Sequence, residues 1–140
     1  MRKTALALGL VTAAAAWSGA QSAMVAYKAT MSGTQEVPAV QSAATGTASV
    51  NLDTATKQAS WTVTYNGLSG PPKAAHIHCG AAVGANGPVA VPIPNIATSP
   101  SQGSGAMTDA QIADLQAGKC YVNIHTDKNP NGELRGQLTP

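Results

Sequence analysis

From residue 24 onward, apolar and polar residues alternate in short runs broken by glycine, proline, asparagine and aspartate. A period of two marks a half-buried strand. Met24 to Met31 reads as a first strand, followed by an irregular stretch through Pro38. In Thr45 to Leu52, Ala48, Val50 and Leu52 share a face, and in Gln58 to Tyr65 so do Trp61, Val63 and Tyr65. The short Asp53–Thr56 turn joins these two runs as a hairpin. Lys73 to Cys79 follows as another strand, and Gly80, Gly84, Gly87 and Pro88 make a long turn into Val89–Ile93. Pro92 and Pro94 predict that this strand lies at a sheet edge. Ser99 to Gly105 reads as a flexible segment by composition. One helix interrupts the pattern: Thr108 and Gln111 form a capping box, Ile112 and Leu115 share a face, and Gly118 closes it. Cys120–Thr126 and Glu133–Leu138 are the last strands, joined by the turn Asn129-Pro130-Asn131-Gly132. Seven or eight short strands with one small helix predict an all-β, Greek-key sandwich.

The start of the chain follows a different rule. Arg2 and Lys3 precede an apolar run from Ala5 to Ala16, with small residues at Ser18-Gly19-Ala20 and Ser22-Ala23. Residues 1–23 therefore read as a secretory signal cut near 20–23, leaving one domain over 24–140. Leu6 to Trp17 is shorter than the roughly 20 residues a membrane helix needs, and no cysteine near the cut offers a lipid anchor. The mature chain is expected to be periplasmic or secreted, with no insertion in a membrane. Without Arg2 and Lys3, six basic residues balance six acidic ones. A neutral surface argues against nucleic acid as a partner.

The chain has two cysteines, and in an exported protein Cys79 and Cys120 are a plausible disulfide. All three histidines lie in two strand segments. His76 and His78 project from one face of their strand, and Ala75, Ile77 and Cys79 from the other. Tyr121, Asn123 and His125 likewise oppose Cys120, Val122 and Ile124. If Ile77, Val122 and Ile124 face the core, so do both cysteines, and the histidines gather on the other face. The bond could then position a three-histidine cluster without belonging to it. Neutral imidazoles at this spacing suit copper, with zinc the poorer match because a closed zinc site takes four protein ligands. Three imidazoles could hold Cu(I) with an open position, to which Met31 or Met107 could add sulfur, although core packing is the plainer role of each. In the final hairpin, Glu133 and Arg135 share the histidine face. With Asp127 they are candidates for orienting an imidazole or attracting an anion, the plainer reading of each being a solvated charge on an edge strand. No serine sits in a nucleophile turn, and the glycines of the 80–88 turn do not open a helix to form a phosphate loop.

Ala75-His76-Ile77-His78, Gly84-Ala85-Asn86-Gly87-Pro88-Val89, Tyr121-Val122-Asn123-Ile124-His125-Thr126 and the stretch from Asn129 to Leu138 resemble a CHRD (chordin-type) domain. Ser32 to Pro38 is similar to its usual opening, and the likeness spans about Tyr27 to Leu138. It implies an extracytoplasmic module, associated in animal members with growth-factor binding. The histidine pattern is also similar to the copper site of Cu/Zn superoxide dismutases. The chain lacks a histidine to match the bridging ligand of those enzymes and any for a full zinc site. Three readings follow: an exported copper-binding protein that handles copper without turnover, an interaction module for an envelope protein or polysaccharide, and a copper-only dismutase-like enzyme. Metal content separates the first two, and turnover separates the first from the third.

Overall fold

A computed structural model describes residue 19 and residues 21–140 of the chain. Most of the segment read as an export signal lies outside the described residues. Eight strands and one α-helix follow in the order β1 (Met24–Ser32), β2 (Thr45–Asp53), β3 (Gln58–Asn66), β4 (Pro72–Cys79), β5 (Val89–Pro92), β6 (Ser101–Ala106), α1 (Asp109–Gln116), β7 (Cys120–Thr126) and β8 (Leu134–Gln137). All pairings are antiparallel, in the order β5-β4-β7-β8-β1-β2-β3-β6. The sheet folds over on itself as a sandwich, so that its two halves enclose one core. Val50, Leu52 and Val63 from one half meet Ile77, Val122, Ile124 and Leu134 from the other, all fully buried. The expected all-β sandwich with one short helix is the fold observed.

Local chemistry accounts for most boundaries. The β2–β3 hairpin is closed by Asp53, whose Oδ1 accepts the backbone N–H groups of Ala55 at 2.9 Å and Thr56 at 3.2 Å. Helix α1 carries the expected capping box: Gln111 N donates to Thr108 Oγ1 and Thr108 N to Gln111 Oε1. Its Leu115 is fully buried, and Gly118 takes the left-handed φ of +71° after its end.

Two expectations are corrected. The segment read as flexible contains the edge strand β6, paired residue for residue with β3 from Gln58↔Ala106 to Val63↔Ser101. Its glycines make room rather than slack. A Cβ at Gly103 would lie 2.7 Å from Trp61 Cζ2, and one at Gly105 2.8 Å from Val91 Cγ1. The second correction concerns Glu133 and Arg135. Strand β8 lies between β7 and β1 rather than at an edge. Both side chains are 1 % exposed, because loops cover the face opposite the core. Asp127 is exposed, as a solvated charge would be.

Candidate metal centre

The pairing of β4 with β7 assembles the site. Ala74, His76 and His78 stand opposite His125, Asn123 and Tyr121. Alternation turns His76, His78, Tyr121, Asn123 and His125 to the face away from the core, while Ile77, Val122 and Ile124 fill it. Cys79 and Cys120 are direct partners in this register and form a disulfide, with Cα atoms 4.1 Å apart. The bond lies in the core, one residue beyond the His78–Tyr121 pair.

All three imidazoles converge, with candidate ligand nitrogens within 4.8 Å of one another. His78 Nδ1 lies 2.8 Å from the carbonyl oxygen of Gly87, and His125 Nδ1 2.9 Å from that of Pro130. A carbonyl only accepts, so each Nδ1 carries the proton and each Nε2 presents a lone pair. His78 Nε2 is buried and has no partner among the described residues. His76 Nδ1 lies 3.1 Å from His125 Nε2. Without an ion, a proton must sit between that pair; with one, the same two lone pairs are free to converge on it. Burial holds the pKa of His76 below its ordinary value, helped by the charges of His125 and His78. Burial lowers that of His78 too, against the opposing bond to Gly87. Both imidazoles thus favour the neutral form that binds metal.

The 80–88 loop forms the wall behind His78. Gly87 is required there, since a Cβ would lie 2.5 Å from the carbonyl oxygen of Cys79. Tyr121 stacks on the His78 ring, 4.8 Å between centroids and 3° from parallel, and its hydroxyl accepts Gly87 N–H at 3.2 Å. Arg135 places Cζ 3.6 Å from the Tyr121 ring centre and donates to Ala85 O at 2.7 Å and Asn86 Oδ1 at 3.0 Å. Asn86 in turn donates to Val37 O. Beside this stack lies buried Glu36. Burial pushes its carboxyl up to about 7, against the charge of Arg135 and the Asn123 side chain, which also bears on His78.

None of the three charges singled out in the sequence hydrogen-bonds an imidazole. Arg135 acts through Tyr121 and the loop. Glu133 accepts from Ser42 Oγ, Ser69 N, Ser69 Oγ and Thr126 Oγ1 at 2.6–2.9 Å. Burial alone would raise its pKa, but these bonds bring it down to about 2. Asp127 pairs with Lys73 at 3.0 Å on the rim beside His76 and His125. Met31 and Met107 pack in the core. Sequence reasoning missed Tyr121, Asn123 and Glu36. The first two share the parity of His125 and could have been found by it, whereas Glu36 arrives from the loop after β1.

An antiparallel β-sandwich with a three-histidine face defines a class of small β domain able to hold a metal. Within that class the family is specific: the sequence model of the CHRD domain matches residues 27–138, and the chain belongs to that family. No curated protein and no solved structure matches the chain.

Proposed function

We propose that the chain is an exported copper-binding CHRD-domain protein that holds its ion through His76, His78 and His125 and handles copper without turnover. One observation carries this reading: three imidazoles on two strands bring their free nitrogens within 4.8 Å, with no thiolate or carboxylate among them. Two are already oriented by carbonyls, the usual way a protein prepares a histidine ligand. Nitrogen donors favour copper over zinc, and three ligands leave a structural zinc site incomplete. Export is supported by the basic and apolar start of the chain and by a disulfide of the kind oxidising compartments maintain. A cut near residues 20–23 would leave β1, from Met24, whole. No helix among the described residues is long and apolar enough to cross a membrane.

Elemental analysis of protein recovered from the periplasm or medium tests the reading. About one copper per chain is expected, falling to background when His76 and His125 are both replaced by alanine. Metal-free protein that takes up no copper on reconstitution would leave an interaction module as the better description.

A further inference from the structure

We propose that Arg135 makes the three-histidine site select monovalent over divalent metal ions, so that bound copper is held as Cu(I). The inference rests on the copper reading above and concerns the charge the site accepts. The strand order β4-β7-β8 places His78 on one side of Tyr121 and Arg135 on the other. Guanidinium, phenol ring and imidazole thus form one stack, with Arg135 Cζ 3.6 Å from the Tyr121 ring centre and that centre 4.8 Å from that of His78. Tyr121 is 3 % exposed and Arg135 1 %, so little water screens the stack. A guanidinium keeps its charge at any pH a protein survives.

The candidate ligands bring no negative charge to offset it. Glu133 stays ionised, but it is held by Ser42, Ser69 and Thr126 and is not among the charges that act on His78, whereas Arg135 is; Asp127 is exposed and paired with Lys73. Glu36 is the buried carboxyl that senses Arg135, and burial keeps part of it protonated near neutral pH. An ion bound by His78 therefore faces a fixed, poorly screened cation. Repulsion from that cation is twice as large for a divalent ion as for a monovalent one. The aromatic ring adds to the effect. Its electron density is drawn towards the guanidinium, leaving the face turned to His78 a poorer partner for an imidazole that carries a dication. Cu(II) also seeks a tetragonal set of four or more donors, and this site supplies three imidazoles.

Full-length mature protein loaded with one equivalent of copper provides the test. Its Cu(II)/Cu(I) potential is read by voltammetry, and Cu(I) and Cu(II) affinities by separate chelator competitions. Arg135→Gln is expected to lower the ratio of Cu(I) to Cu(II) affinity at least tenfold, a fall of about 59 mV for this one-electron couple. Arg135→Lys, which keeps the charge, should restore most of it. Glu36→Gln removes the compensating carboxyl and should move the potential upward. A purely structural role for Arg135 would not produce shifts of opposite sign in the two variants. Copper bound through the histidines with a potential unmoved by Arg135→Gln would overturn the inference and leave the copper reading standing. Should Arg135→Gln fail to fold, an unchanged or lowered potential in Glu36→Gln would overturn it instead. Protein that binds copper in neither state would overturn both.

Discussion

His76 Nδ1 and His125 Nε2 lie 3.1 Å apart although 49 residues separate them in the chain. They meet because His76 is opposed by Asn123, two residues short of His125, so the two rings lean towards each other diagonally across β4 and β7. Two lone pairs at that separation repel unless a proton or an ion lies between them. The first prediction is therefore that each of His76→Ala, His78→Ala and His125→Ala lowers copper affinity by more than about tenfold, the range expected when an ion loses a supporting group. Lys57→Ala and Lys119→Ala should leave it unchanged. Competition against a chelator of known affinity measures this, and a His125→Ala variant as tight as the parent would reduce the site to the His-Ile-His pair.

Proton competition should begin at lower pH than for exposed histidines. Burial holds His76 and His78 below the ordinary value of 6.5. The decline in copper affinity that follows protonation of these two ligands should then set in at lower pH than for exposed imidazoles. Titrations across pH 5–8, a window set by the ordinary histidine range, would contradict this if the decline were complete by 6.5.

Chelation should leave the fold intact. The core is built from Val50, Leu52, Val63, Ile77, Val122, Ile124 and Leu134, none of which belongs to the histidine face. Far-ultraviolet circular dichroism should be nearly the same with and without metal. Loss of the β signal on chelation would show that the ion is structural.

Reduction should weaken the fold considerably. The Cys79–Cys120 bond closes a loop of sequence separation 41, which in the chain-entropy model stabilises by about 4 kcal/mol. Denatured, unreduced protein should titrate with no free thiol. Cys79→Ala/Cys120→Ala should unfold at clearly lower denaturant concentration.

The two buried carboxyls should respond to pH in opposite directions. Glu133, brought down to about 2 from an ordinary 4.5, contributes stability that is present above pH 4.5 and lost as pH falls towards 2. Glu133→Gln should cost about 3 kcal/mol at pH 7 and little near pH 2. Glu36, raised to about 7, contributes stability that is present below pH 4.5 and lost as pH rises through 7. Glu36→Gln should therefore be more stable than the parent at pH 8 but not at pH 4. Denaturant midpoints at these pH values check both signs.

Much of this arrangement was legible in the sequence because strands keep a period of two. Parity alone separated Ile77, Val122 and Ile124 from His76, His78 and His125, and put Cys79 with Cys120. What parity could not tell was what covers each face. The histidine face looked solvated because its charges sit on strands; the loop after β1 and the 80–88 loop cover it, and loop paths leave no periodic trace. Glu36 was illegible for that reason. Strand β6 was hidden differently: Gly103 and Gly105 carry a loop's composition, yet their function is to leave room for the Trp61 indole and Val91.

The position of the disulfide has one more consequence. Cys79 and Cys120 are opposed in the register that brings the imidazoles together. A slip of one residue between β4 and β7 would turn the histidines into the core. The smallest slip that keeps the faces is two residues, about 7 Å along the strand, enough to carry the sulfurs beyond bonding reach. The bond is in effect a proofreading mark on strand alignment. A chain folded out of step cannot close the bond, and a folded chain that has closed it holds the register in which the three imidazoles meet.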